Sequence, residues 1–283
     1  MSWKRAIANK FDNNLGRPLL ARLATTRARW LLKDNVQIGY DGIWFHRVRS
    51  SEFVPDGPRF EYSDTTILTW PDEISRYLRD AAYFWFMHYQ PRLDDVIIDI
   101  GAGRGEDTLA FARRVGPNGK VFAIEAHPNT YNLLRRFCEL NQLNNVVPVD
   151  VAIMDAAGTV YIDDGDHWYA NAVYASGNGR PTRATTLDQF CNEQGIDRID
   201  FLKMNIEGSE IAALQGMEKT IERIRVICVC CHDFRADRGH GERYRTREFV
   251  TQYLRKHGFS VTHRSSDWRD YVRDHVHGIR GSK

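Results

Sequence analysis

From residue 96 onward, short apolar runs alternate with stretches whose apolar residues recur at helical spacing, the pattern of an α/β chain built on a parallel sheet. The first run, residues 96–98 continued by Ile100, is unbroken, as a strand covered on both faces requires. Asp99 and glycines at 101, 103 and 105 stop it, and residues 107–114 follow as a helix. A second run at 121–124 ends in Glu125. Pro128 then opens a helix through Leu140, since proline costs nothing in a first helical turn. A third run spans 146–151 and carries Asp150 near its end. The fourth strand opens the stretch 199–210, and the fifth falls at 226–231. Residues 245–257 read as a helix ended by Gly258, followed by a strand at 259–263 and an antiparallel partner at 271–279.

The first third of the chain reads differently. Residues 37–48 alternate loosely and predict a short hairpin, and Pro55, Gly57 and Pro58 mark a loop. Residues 72–89 carry Ile74, Leu78, Ala81, Ala82, Trp85 and Phe86 at helical spacing, with acids in the first turn that suit the helix dipole. The aromatics at 83–86 and Tyr89 belong either to the core or to the wall of a site. The expected organisation is a helical and hairpin extension over residues 1–70 and a Rossmann-like domain over 71–283. After the third strand, residues 158–162 read as an extra hairpin edge. The Gly-, Asp- and Asn-rich stretch 163–181, with Trp168 and Tyr169, is an expected lid over the acceptor site. Thr186 caps the helix after it.

With 283 residues, the chain can bury one large α/β core and an appendage. A net charge of +2 gives the whole molecule no nucleic-acid signature, and no apolar stretch is long enough to span a bilayer. These features, with no secretory segment near Met1, predict a soluble cytoplasmic protein. Basic residues concentrate at the start: Lys4, Arg5, Lys10, Arg17, Arg22, Arg27, Arg29 and Lys33 stand against Asp12 alone. This segment reads as a membrane-surface or partner-binding arm, or as a helical cap with a solvated basic face. A transit peptide is a third reading, opposed by Asp12, Asp34 and the scarcity of serine. Cys228, Cys230 and Cys231 lack zinc-knuckle spacing and read as buried thiols in a reducing compartment, so no metal site is expected there.

Glycines at 101, 103 and 105 let the backbone come close to a ligand on which a side chain would intrude. A dinucleotide fingerprint needs its third glycine where this chain has Glu106, and Glu106 and Asp107 would repel a diphosphate at the helix N-terminus. The loop suits a ligand with a cationic amino-acid end, to which Asp99 and the first helical turn supply negative charge. S-adenosyl-L-methionine is such a ligand. Gly101, Gly103, Gly105 and Asp99 are then its contacts. Glu125, at the end of the second strand, accepts ribose hydroxyl protons, and Asp150 is a candidate for the adenine amino group.

The most specific stretch is 199–210, Ile-Asp-Phe-Leu-Lys-Met-Asn-Ile-Glu-Gly-Ser-Glu, followed by Ala213, Leu214 and Gly216. With the glycine loop, residues 125–128 and residues 186–188, it resembles the FkbM family of S-adenosylmethionine-dependent methyltransferases. The resemblance implies a class I fold, a seven-stranded, mostly parallel Rossmann-like sheet with its last strand antiparallel. It also implies methylation of a hydroxyl on a small molecule, sugar or secondary metabolite, and adds Ala126 to the cofactor contacts. The family usually has Asp where this chain has Asn205.

Strand alternation puts Phe201, Lys203 and Asn205 on one face. An amide at Asn205 can orient an acceptor hydroxyl but cannot take its proton. General-base duty then passes to Glu207, to Glu210, or to His232 and Asp233, with His232 the natural candidate. Alternatively, His232, Asp233 and Glu207 hold a divalent ion, or Lys203 and Glu207 simply pair. Arg235, Arg238 and Arg243 are candidates to neutralise an acidic substrate group. A nicotinamide-dependent oxidoreductase and a non-catalytic, membrane-associated cofactor-binding protein are the rival functions. A nucleic-acid methyltransferase would want an Asn-Pro-Pro-aromatic turn where this chain has Asn205-Ile206-Glu207-Gly208. The expected partners are a small hydroxylated acceptor, no nucleic acid, and a membrane surface for the basic arm. Nothing in the sequence speaks to oligomeric state.

Overall fold

The computed structural model describes residues 8, 10–49, 52–163, 173–174, 177 and 179–281. Parts of the basic arm (1–7 and 9) and of the expected lid, including Trp168 and Tyr169, lie outside the described residues. Among the described residues, no helix is long and apolar enough to cross a membrane.

The N-terminal layer consists of α1 (Arg17–Leu32), β1 (Val36–Tyr40), β2 (Trp44–Val48), β3 (Val54–Gly57), α2 (Asp64–Thr69) and α3 (Glu73–Trp85). β1 and β2 form the expected hairpin, in register from Val36 against Val48 to Tyr40 against Trp44. Trp44 is fully buried between Leu20 and Ala28 of α1, the strand residues Val36 and Val48, and Ile67 and Trp70. The expected loop at 55–58 instead contributes the edge strand β3, which pairs only with β2. An edge position tolerates Pro55, because its missing N–H is not owed to a second neighbour. α3 is shorter than expected. Beyond Trp85 the chain leaves the helix so that Phe86 packs on Phe111 and Tyr89 stacks on Phe201 at 5.0 Å.

His46 of β2 fastens this layer to α3. Its Nδ1 lies 2.8 Å from Asp56, its Nε2 lies 3.0 Å from Glu73, and its ring stacks 3.9 Å from Trp70. Burial opposes charge on His46, but Asp56 and Glu73 outweigh it and push its pKa up to about 9.

The chain continues through β4 (Val96–Ile100), α4 (Glu106–Val115), β5 (Lys120–Ile124), α5 (Pro128–Leu140) and β6 (Val146–Val149). It then builds a small separate sheet from β7 (Ala152–Ile153), β8 (Gly158–Ile162), β9 (Val173–Tyr174) and β10 (Arg180–Thr185), in the order β7-β10-β8-β9. The third apolar run therefore divides: Val149 ends the main sheet, and Ala152 starts the small one. The stretch expected as an extra hairpin edge does form a strand, β8, but an inner one that pairs antiparallel with both β10 and β9. The remainder is α6 (Leu187–Glu193), β11 (Ile199–Met204), α7 (Glu210–Gln215), β12 (Ile224–Cys230), α8 (Asp233–Asp237), α9 (Arg247–Lys256), β13 (Phe259–His263), α10 (Asp270–Arg273) and β14 (His275–Arg280). Thr186 caps α6 by accepting the Gln189 N–H.

The main sheet has the order β13-β14-β12-β11-β4-β5-β6. It is parallel except for β14, which runs antiparallel to β12 and β13. The expected final strand begins only at His275, because residues 270–273 form a helical turn. Ile98, Ile100, Leu202 and Met204 share one core and Ile97 and Phe201 another, as a sheet covered on both faces demands. The strand order reverses between β4 and β11. Connections leave these two strands in opposite directions, which opens a crevice at their carboxyl ends.

Candidate active site

That crevice is a cavity of about 430 Å3, a size that suits a small ligand. Its wall combines Gly101 and Gly103 after β4, Glu125 and Ala126 after β5, residues 151–154 after β6, Asn205 and Glu207 after β11, and Tyr77 and Trp85 of α3.

Gly101 has φ +76°, and a Cβ there would sit 2.0 Å from the backbone oxygen of Asn205. At Gly105, φ is +102° and a Cβ would sit 2.8 Å from the Phe137 ring. Glycine at these two positions is thus demanded by the chain's own packing, more directly than by a ligand. Gly103 lines the cavity, and its N–H donates to Oε2 of Glu125 at 2.9 Å.

Asp99 does not reach the cavity wall. It is completely buried, with Oδ2 accepting the Thr108 hydroxyl at 2.7 Å and Oδ1 lying 2.8 Å from Nζ of Lys203. Lys203 also donates to the Gly101 carbonyl at 2.7 Å and lies 3.7 Å from Asp107. Burial opposes its charge, but Asp99 and Asp107 outweigh it and raise its pKa. The negative charge expected from Asp99 is therefore consumed by Lys203. Asp107 and Glu106, in the first turn of α4, line the wall instead, and burial pushes the Asp107 pKa up to about 6.

Glu125 does face the cavity. Its two oxygens accept backbone N–H groups from Gly103 and His127, each at 2.9 Å, and burial pushes its pKa up to about 7. Each carboxylate oxygen has a further lone pair to offer. Asp150 is exposed and off the wall, since the crossing from β6 to β7 presents Val151 and Ala152 to the cavity instead.

Across the cavity, Asn205 keeps a buried side-chain oxygen with no hydrogen-bond partner among the described residues. Glu207 has φ +53° and is followed by Gly208 at +95°, an unfavourable backbone for a residue with a side chain. The turn sets the Glu207 carboxylate 3.1 Å from Nε2 of His232 and in an ion pair with Arg235. Behind it, Nδ1 of His232 lies 2.9 Å from Oε1 of the fully buried Glu210, which also accepts the Gly208 N–H at 3.1 Å. Burial opposes charge on His232, but the Cys230 sulfur and both carboxylates raise its pKa well above the usual imidazole value. Burial likewise opposes charge on Glu207, yet His232 and Arg235 lower its pKa.

This corrects the expectation for His232. An imidazolium has no lone pair with which to take a proton, and the ring lies behind the wall. Asp233 is also drawn away, because its Oδ2 accepts the N–H groups of Thr246 and Arg247 at 3.0 and 2.9 Å, at the start of α9. Glu207, His232 and Asp233 therefore form no common ion site. Arg238 pairs with Asp270, and Arg243 lies over the Tyr244 ring at 4.7 Å. Of the α3 aromatics, Phe84 and Trp85 line the cavity, while Phe86 and Tyr89 are core. The sequence reading missed Arg76, Tyr77 and Asp80 on α3, and Tyr271 and His275. Polar residues at 76 and 80, one turn apart ahead of the aromatics, were the available signal.

A doubly wound sheet with an antiparallel last strand and a cavity at its switch point, walled by a glycine loop and an acid after the next strand, defines the class I methyltransferase fold. The chain belongs to the FkbM methyltransferase family: residues 99–261 match the methyltransferase FkbM domain. The donor used by that family is S-adenosyl-L-methionine. The chain is 26% identical over 153 residues to 2-O-methyltransferase NoeI of Sinorhizobium fredii, a match to 47% of this chain and 62% of that protein. It is 32% identical over 104 residues to the tRNA (adenine(58)-N(1))-methyltransferase catalytic subunit TRM61 of Yarrowia lipolytica, covering 33% of this chain and 26% of that one. The chain thus spans less than two thirds of either relative. Among solved structures, a fibrillarin pre-rRNA processing protein of Methanococcus jannaschii is similar with a TM-score of 0.45 and 14% identity, over 88% of this chain and 100% of that one.

Proposed function

We propose that the chain transfers a methyl group from S-adenosylmethionine to a hydroxyl oxygen of a small molecule or sugar. The observation that carries this reading is the pairing of Asn205 and Glu207 on one wall. Among the described residues the amide oxygen of Asn205 has no partner, and the cavity-lining Glu207 carboxylate is kept ionised. An ionised carboxylate on the wall calls for a donor, and a hydroxyl is a donor whose oxygen is also a nucleophile. The similarity to NoeI, a 2-O-methyltransferase by name, supports oxygen as the acceptor.

The donor supplies an already electrophilic methyl group, so alignment and exclusion of water matter more than proton removal. Glu125 accepts the ribose hydroxyls through its remaining lone pairs. Asp107 and Lys203 meet the amino and carboxylate groups of the methionine end. Asn205 and Glu207 orient the acceptor. As the O–methyl bond forms and the sulfur–methyl bond breaks, the hydroxyl becomes acidic enough for even a low-pKa carboxylate at Glu207 to take its proton. S-adenosylhomocysteine and the methyl ether remain. His232 and Arg235 act through Glu207 by holding it in place.

Incubation with methyl-labelled donor and a panel of sugars and other hydroxylated small molecules, read by mass spectrometry, tests the reading. Label on an acceptor oxygen is the expected result. Donor binding by calorimetry without transfer to any acceptor, or label on a base of tRNA, overturns it.

A further inference from the structure

Below the cavity floor, β12 and β14 gather a second group of reactive side chains. In their antiparallel register Cys228 faces His277 and Cys230 faces His275. Directly opposed residues, and residues two apart, share one face of a sheet, so all four project to the same side. Sγ of Cys228 lies 3.8 Å from Nε2 of His277. One ligand atom from each of Cys228, His275 and His277 falls within 4.8 Å of the other two, and all three residues are buried. Zinc bonds to sulfur and nitrogen at about 2.3 and 2.05 Å would set two ligand atoms about 3.6 Å apart at the tetrahedral angle.

His275 adds an independent observation. Nδ1 of its ring is buried with no hydrogen-bond partner among the described residues, and the residue is only 3% exposed. Leaving such an atom unsatisfied is costly unless something occupies its lone pair. The ring is fixed by stacking on Trp85 at 4.9 Å. His275 also lines the cavity, which gives an ion a route inward.

We propose that Cys228, His275 and His277 bind one borderline-soft divalent metal ion, zinc by preference, beneath the floor of the cavity. A mixed sulfur and imidazole set selects zinc over hard cations such as magnesium or calcium, and three protein ligands leave a fourth position for water. This departs from the sequence reading of Cys228 as a plain buried thiol, because the two histidines lie 47 and 49 residues downstream and reach it only through the β12–β14 register.

The test uses the full chain, stripped of metal by a chelator and titrated with Co2+ as a spectroscopic probe and with Zn2+ in competition. One equivalent of Co2+ is expected to give the intense visible bands of a tetrahedral site and a thiolate-to-cobalt charge-transfer band, both removed by Zn2+. Cys228→Ser should abolish the charge-transfer band. Since loss of a supporting partner alone costs about 10- to 100-fold in metal affinity, His277→Gln should weaken binding by at least about 100-fold. Cys231→Ser, on the opposite face of β12, should leave the spectrum unchanged. Should a variant fail to fold by circular dichroism, X-ray absorption at the zinc edge of the wild-type protein decides. One sulfur and two imidazole nitrogens support the site; a shell without sulfur, or no stoichiometric uptake of either metal, overturns it.

Discussion

Nε2 of His232 lies 3.1 Å from Oε1 of Glu207, while the other ring nitrogen is held by Glu210 at 2.9 Å. The ring is thus a charged brace between two acids, and under the proposed function it holds Glu207 as the proton acceptor. Glu207→Gln keeps the shape but removes the charge. Turnover should fall about 100-fold, the lower range for loss of a proton-transfer group. Donor affinity, read by calorimetry, should stay within about threefold of wild type, since the residue sits on the acceptor side.

Donor binding should depend on pH through Glu125. Burial pushes its pKa up to about 7, and under the proposed function the ribose hydroxyls donate to its ionised form. Affinity is therefore present above pH 7 and lost as the pH falls below it. Glu125→Gln should bind about 10- to 100-fold more weakly at pH 8, because hydrogen bonds to a charged acceptor are lost. Its affinity should also be nearly flat above pH 7, leaving only the fall that Asp107 sets near pH 6, and calorimetric titration from pH 5.5 to about 8.5 checks both points.

His46 makes the opposite prediction for stability. Its pKa is pushed up to about 9 from 6.5, so its contribution is complete below pH 6.5 and lost as the pH rises through 9. The shift corresponds to on the order of 3 kcal/mol. Denaturant unfolding at pH 6.5, 8 and 10 should show the decline, and His46→Gln should be less stable at pH 6.5 with a flatter profile.

Lys203 and Asp99 are both buried, so removing one leaves an uncompensated charge. Lys203→Met should cost about 3–5 kcal/mol of unfolding free energy. The Lys203→Met, Asp99→Asn double variant should recover part of that loss in the same denaturation experiment, because Asp107 is then the only one of the three clustered groups that can still carry charge.

The elements of the main sheet were legible because each signal is local. Apolar runs, the glycines after Ile100, the acid at Glu125, proline opening α5 and threonine capping α6 all act within a few residues. What sequence could not show depends on register between distant segments. Lys203 opposes Asp99 only because β11 lies against β4 with those residues aligned. His232 looked like a base until Glu210, from another element, came within hydrogen-bond distance of its far nitrogen. Asp150 and Asp233 are acids near strand ends, as expected, but the first faces solvent after the chain leaves the sheet and the second caps a helix. Pro55 and Gly57 read as a loop because edge pairing leaves so little imprint on composition.

The family match begins at residue 99, yet Arg76, Tyr77 and Trp85 stand on the cavity wall before it, and Tyr271 and His275 stand on it after residue 261. Part of the wall therefore lies on stretches of polypeptide that the recognisable signature does not reach. Under the proposed function, exchanging residues 73–85 between relatives changes that wall while the glycine loop, Glu125 and Glu207 stay intact, which makes it a compact engineering route to a new product.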